Sequence, residues 1–127
     1  MIAYYEAWSA RRSCHEFPPS AIPVGALTHV NFGFAYVEPK SFKVTTMDGQ
    51  TSASLFQATT DIKSLKSGNS KLQVFVALGG WTFSDNGTDT QPLLGEIAAD
   101  AGKRQTFADN VVNLMTKYGF DGIDIDW

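Results

Sequence analysis

The segment Asp121-Gly122-Ile123-Asp124-Ile125-Asp126-Trp127 interleaves three carboxylates with bulky apolar residues. Read as a strand, it puts Asp124 and Asp126 on one face and Ile123, Ile125 and Trp127 on the other. Same-face residues two apart stand about 6.5–7 Å apart along a strand. Burying a whole face of acids is expensive, and that cost is usually met only where the acids perform chemistry. Neighbouring buried carboxylates resist ionising together, so one of them keeps a proton. A third acid on the same face, at the position after Trp127, would extend the line and serve as a general acid. Two plainer accounts compete, a solvated strand end and a metal loop. Calcium loops need glycine and turn residues between their ligands. Here the spacers are Ile123 and Ile125, so the carboxylate relay is preferred and no metal is expected.

A second candidate is Gly79-Gly80-Trp81. Two glycines allow a sharp turn and leave room beside the backbone. Read alone, the segment favours a tight turn with a core Trp. The functional alternative is a substrate approaching there, with Trp81 as a stacking floor. It lacks the spacing and the Lys-Ser/Thr ending of a phosphate loop. His29 opens an apolar run and reads as a structural hydrogen-bonding residue. Cys14 and His15 form no nucleophile pattern with other residues.

These residues need elements to hold them. Four apolar runs read as strands: Ile2 to Glu6, His29 to Tyr36, Leu72 to Leu78, and Gly122 to Trp127. In the second, Val30, Phe32, Phe34 and Tyr36 are expected on one face. Near-continuous apolar character suits strands buried on both sides, as in parallel sheets. Ser54 to Lys66 carries Leu55, Phe56, Ile62 and Leu65 at helical spacing, with Gly68 as a stop. Asp100 to Tyr118 is a clearer helix, with Phe107, Val111, Leu114, Met115 and Tyr118 on one face, Asp100 as cap and Gly119 as stop. Pro18 to Ala26 reads as a loop with at most a short helical turn. Val37 to Ser52 reads as a long connection with room for a hairpin. The order is a βα pattern and implies a right-handed parallel α/β sheet. Two architectures fit: a four-stranded doubly wound sheet, or half of a (β/α)₈ barrel, which takes about 250 residues in full. In both, ligands bind at the C-terminal strand ends, where the two candidate segments lie.

Composition narrows the function classes. The chain has 127 residues, 43% of them hydrophobic, which suits one folded domain. The net charge is −3, with no basic run longer than Arg11-Arg12, so nucleic acid is not an expected partner. No apolar run reaches the 18 residues of a membrane span. Met1 runs straight into Ile2-Ala3-Tyr4-Tyr5, so this segment holds no signal peptide. Cys14, the only cysteine, has no internal disulfide partner. Asn86-Gly87-Thr88 is an N-glycosylation acceptor pattern and supports secretion weakly.

Taken together, these motifs resemble glycoside hydrolase family 18, the chitinases. Asp121 to Trp127 is similar to the signature D-G-x-D-x-D-x-E up to its final Glu. Leu78-Gly79-Gly80-Trp81, Thr28-His29-Val30-Asn31-Phe32-Gly33-Phe34-Ala35 and Tyr4-Tyr5-Glu6-Ala7-Trp8 reinforce it in order and at βα spacing. Tyr5-Glu6-Ala7-Trp8 followed by Arg12-Ser13-Cys14 looks most like the fungal chitinases related to killer-toxin subunits. The resemblance implies a (β/α)₈ TIM barrel, with residues 1–127 forming its N-terminal half through the fourth strand. It implies retaining, endo-acting hydrolysis of chitin in which the substrate's own acetamide is the nucleophile, with no cofactor, in a secreted protein. Asp126 would orient the acetamide, Asp124 would share its proton, and Asp121, the third acid of the catalytic motif, would act structurally. The acid that protonates the leaving oxygen would be a Glu after Trp127, so residues 1–127 alone are expected to be inactive. Tyr4, Phe34, Gly80 and Trp81 would bind substrate, with Trp8 a further candidate for the same wall. The family often has Ser where this chain has Ala77. Two alternatives remain: a chitinase-like lectin, although such proteins lose acids that are present here, and an endo-N-acetylglucosaminidase.

Overall fold

The apolar runs pair into one sheet. A computed structural model describes residues 1–64, 69 and 71–127. Its strands are β1 (Ile2–Glu6), β2 (His29–Val37), β3 (Val44–Thr46), β4 (Gln73–Gly79) and β5 (Gly122–Asp126), and its helices are α1 (Ser54–Thr60), α2 (Trp81–Ser84), α3 (Leu93–Ala99) and α4 (Ala101–Tyr118). Strands β1, β2, β4 and β5 are parallel and lie side by side in chain order. A doubly wound sheet reverses its order at a switch point. The strictly sequential order is that of a barrel wall, and it resolves the choice left open by the sequence.

β3 returns antiparallel along the end of β2, pairing Ala35 with Thr46 and Val37 with Val44. This is the hairpin in the long connection. Pro18 to Ala26 is a loop with two short 3₁₀ turns, Pro19–Ala21 and Val24–Ala26. The helix expected from Ser54 is shorter: α1 stops at Thr60 and a 3₁₀ turn follows over Asp61–Lys63. Leu65, Lys66 and Gly68 of that expectation lie outside the described residues. α4 follows the sequence closely. The Asp100 side chain accepts a hydrogen bond from the Lys103 N–H at 2.8 Å, and Gly119 ends the helix at φ 77°. Helices α2 and α3 were not expected. Leu93, Leu94 and Ile97 are buried on α3, but two turns containing Gly95 give too little periodicity to read.

The helices cover one face of the sheet. Tyr5, Val30, Phe32, Val74 and Val76 pack there against Phe56, Val111, Leu114 and Phe120. The Phe56 ring lies 4.8 Å from that of Phe32 and 5.3 Å from that of Tyr118. A second cluster, Val37, Phe83, Leu93, Leu94 and Ile97, closes the C-terminal end of the sheet beneath α2 and α3. β2 and β4 are largely buried on both faces, as their apolar runs require, whereas β1 alternates.

One face assignment needs correction. Val30 and Phe32 do point to the helices, but the register of β2 against β4 shifts between Gly33 and Ala35, across the cis Gly33–Phe34 peptide. Ala35, not Phe34, continues the helix-side row and joins its core. A bulge adds one residue and so exchanges the faces of everything after it. Phe34 is thereby turned toward Tyr4, ring to ring at 6.1 Å.

Candidate active site

Register places the acids. Asp124 pairs with Ala77 and Asp126 with Gly79, while Tyr4 and Asn31 lie in one row with Phe75 and Gly122. Residues in register on parallel strands share a face, and so do residues two apart. Tyr4, Asn31, Asp124 and Asp126 therefore stand on the face away from the helices. In a flat sheet β1 and β5 would be three spacings, about 14 Å, apart. Yet the Tyr4 hydroxyl donates to Oδ2 of Asp124, which requires the sheet to curl toward this face. The contact is what the inside of a barrel wall provides.

Asp124 receives a second donor. The Asn31 amide reaches the same Oδ2 at 3.1 Å. Ala77, opposite Asp124, offers no hydroxyl. The hydrogen bond to Asp124, aided by desolvation, raises the Tyr4 phenol above its ordinary 10.0, although Asn31 works against this. Tyr4 thus remains a donor throughout the neutral range. Asp124 is half-buried and Asp126 exposed, so the fully buried acid face expected from sequence is not found in these residues. Among the described residues, no helix packs against this concave face.

Gly79 and Gly80 hold the Asp126 backbone. The Gly80 N–H donates to the Asp126 carbonyl at 2.9 Å. A Cβ on Gly79, at φ 110°, would lie 2.2 Å from that carbonyl oxygen, and one on Gly80, at φ 90°, would meet the Phe34 ring at 3.3 Å. Two glycines are needed here for room as well as for conformation.

Trp81 begins α2 just beyond and is 86% exposed within residues 1–127. It lines a cleft of about 530 Å³ together with Phe34, Gly80, Ser84, Asp85, Asn86, Asp126 and Trp127. A smaller adjoining recess of about 130 Å³ brings Trp8 to Phe34, Gly80 and Trp81. The lining is aromatic surface around a carboxylate. A recess of about 420 Å³ on the helix side, between Lys43, Phe56 and Lys117, contains no acid.

Asp121 is not part of this group. It lies before β5, where its Oδ2 accepts from the Val74 N–H at 2.8 Å and both its oxygens accept from Lys63 Nζ at 3.0 Å. This bonding ties the end of α4 and the start of β5 to β4. His29 lies edge-on to Phe75 at 5.3 Å and contacts the Thr28 hydroxyl at 3.0 Å, as a structural residue would. Cys14 is exposed.

Sequence reasoning missed Asn31 and the Ser84–Asn86 segment. The signal for Asn31 was a lone carboxamide in an apolar run, out of step with Val30 and Phe32. Asn86 was read only as a glycosylation acceptor.

The comparisons with known proteins follow the same lines. The profile of glycosyl hydrolases family 18 matches residues 1–127. Chitotriosidase-1 of Mus musculus is 33% identical over 128 residues, covering 100% of this chain and 25% of the mouse protein. A mutant family 18 chitinase of Cycas revoluta, solved in complex with (GlcNAc)4, superposes with a TM-score of 0.77 at 27% identity, over 99% of this chain and 33% of that one. Catalytic domain 2 of the Ostrinia furnacalis Group II chitinase, as a mutant bound to a chitooligosaccharide, gives a TM-score of 0.84 at 24% identity over 99% of this chain and 31% of that one, a likeness of fold. The chain thus spans a quarter to a third of these three proteins. By profile and by the barrel wall it builds, it belongs to glycosyl hydrolases family 18.

Proposed function

We propose that the protein containing these residues hydrolyses β-1,4-linked N-acetylglucosamine polymers with retention, and that residues 1–127 are the N-terminal half of its catalytic barrel. One observation carries the reading. Asp124 is held by Tyr4 and Asn31, with Asp126 next along the same face, at the edge of a cleft walled by Phe34 and Trp81.

The roles follow from position. A sugar lies against the aromatic wall with its reacting ring over Asp126. Asp126 orients the substrate's acetamide, whose carbonyl oxygen attacks the anomeric carbon as the glycosidic bond breaks. A Glu following Trp127 gives its proton to the leaving oxygen. Asp126 stabilises the oxazolinium ion, Asp124 takes up the shared proton as charge moves, and water then opens the ring with net retention. A polypeptide of residues 1–127 alone has no such donor, and it is expected to turn over nothing above a blank. A polymeric chitin substrate implies secretion. The chain's Tyr5-Glu6-Ala7-Trp8 and Arg12-Ser13-Cys14 support the fungal killer-toxin-like group.

The test is to incubate the full-length protein with tetra-N-acetylchitotetraose and, separately, with an N-glycosylated protein. Cleavage of the tetramer is expected. Binding without cleavage would make the protein a lectin, and release of N-linked glycans alone would make it an endo-N-acetylglucosaminidase.

A further inference from the structure

Asp124 draws its hydrogen bonds in an uneven way. Both donors, the Tyr4 hydroxyl and the Asn31 amide, end on Oδ2. Both come from the row two residues toward the N-terminal end of the sheet, whereas Asp126 lies two residues the other way. The row of Asp124 itself supplies nothing: its β4 neighbour is Ala77, fully buried, and the next residue across is Gly33.

Asn31 is the unusual member. It is 7% exposed on a strand whose other buried residues, Val30, Phe32, Ala35 and Val37, are apolar. A buried carboxamide costs stability unless it is hydrogen-bonded. Its nitrogen has protons and no free lone pair, so toward Asp124 it can only donate. The phenol beside it is also kept protonated. Two donors on one oxygen stabilise negative charge on that oxygen and disfavour a proton there.

We propose that Asn31 is a positioning residue that, with Tyr4, fixes Oδ2 of Asp124 as the charge-bearing oxygen and confines the proton shared with Asp126 to Oδ1. The inference rests on the proposed reaction. If the pair instead scrambled its proton between both oxygens, a fraction of molecules would present Asp126 in the wrong state when substrate arrives. Among the described residues, the ionisable groups that share this concave face with Asp124 are Tyr4 and Glu6 on β1, His29 on β2 and Asp126 on β5, with Glu6 already paired to Arg12 at 3.2 Å. β4 presents only Phe75 and Ala77 toward Asp124. Asn31 is thus a neutral donor whose removal changes the pair without changing local charge.

The experiment uses the full-length protein in three forms: wild type, Asn31→Leu, and Asn31→Leu combined with Ala77→Ser, which offers a hydroxyl from the facing strand. Leucine keeps the volume and removes the donor. The pH profile of kcat/KM is measured on tetra-N-acetylchitotetraose, and each form is crystallised. Asn31→Leu is expected to lower kcat/KM by about 10- to 100-fold on the acidic side, to move the acidic limb toward higher pH, and to turn the Asp124 carboxylate off Tyr4. The added serine is expected to move the limb back. A uniform loss at every pH with the limb in place, or a carboxylate unmoved in the crystal, would overturn the inference. If the wild type cleaves no chitotetraose, the proposed function fails, and the crystal comparison still decides whether Asn31 sets the Asp124 carboxylate.

Discussion

Replacing Gly79 with Ala should damage the site more than the same change one residue later. At Gly79 the new Cβ would lie 2.2 Å from the Asp126 carbonyl oxygen, a backbone atom, so β5 must move. At Gly80 it would lie 3.3 Å from ring atoms of Phe34, a side chain that can give way. Both positions have positive φ, 110° and 90°, and forcing a side chain into such a conformation costs about 1–3 kcal/mol. Gly79→Ala also pushes away the acceptor of the Gly80 N–H bond, worth about 0.5–1.5 kcal/mol. Its total is therefore about 1.5–4.5 kcal/mol, against about 1–3 kcal/mol for Gly80→Ala. The displaced carbonyl belongs to Asp126, and a 1 Å misplacement of a reacting group can cost about 100-fold in rate. Urea unfolding and chitotetraose turnover of both full-length variants provide the readouts. Equal stabilities, or a Gly79→Ala enzyme with wild-type turnover, would refute the claim that this contact holds Asp126.

Other consequences are simpler. Phe56, 2% exposed and central to the ring cluster, should cost about 3–5 kcal/mol on truncation to Ala, read by urea unfolding. Asp121→Ala should cost about 1–3 kcal/mol by removing the acceptor of the Val74 N–H and the carboxylate that the Lys63 ammonium bridges to. Its kcat should stay at the wild-type value, and a collapse of kcat would place Asp121 in the chemistry. The phenols of Tyr5 and Tyr36, raised chiefly by burial, and of Tyr4, raised chiefly by its bond to Asp124, hold their protons above the ordinary 10.0. The folded state then binds more protons than the unfolded one above pH 10, so this stability is intact below pH 10 and declines as pH rises through the folded values. Melting followed by circular dichroism should show that decline, and a midpoint unchanged by alkali would contradict it.

What the sequence made legible was whatever repeats with a clear period. The four parallel strands and α4, with its Asp100 cap and Gly119 stop, could be read directly because 18 residues of α4 give five turns of pattern. The seven-residue α3 gives two, and its neighbours Thr88, Thr90 and Pro92 look like loop. The two-faced alternation of β5 correctly separated Asp124 and Asp126 from Ile123. The same rule failed on β2, because one extra residue at Phe34 shifts the register, and nothing local in Gly33-Phe34-Ala35 announces it. By alternation alone Phe34 would face the helices, whereas its ring lies 6.1 Å from that of Tyr4. The role of Asn31 was invisible for another reason. Its partner Asp124 is 93 residues away, and only the curl of the sheet brings Tyr4, Asn31 and Asp124 to one point. Trp81 was undecidable alone, since a core Trp and an exposed Trp read alike until the turn at Gly79-Gly80 is seen.

The central claim is that Asp126 orients the substrate's own acetamide as the nucleophile. The most direct test follows tetra-N-acetylchitotetraose cleavage by proton NMR, for the full-length protein and its Asp126→Asn variant. The account predicts that the β-anomer appears first and that Asp126→Asn slows turnover by about 10²–10³-fold. An α-anomer at early times, or an Asp126→Asn enzyme as fast as the wild type, would contradict it.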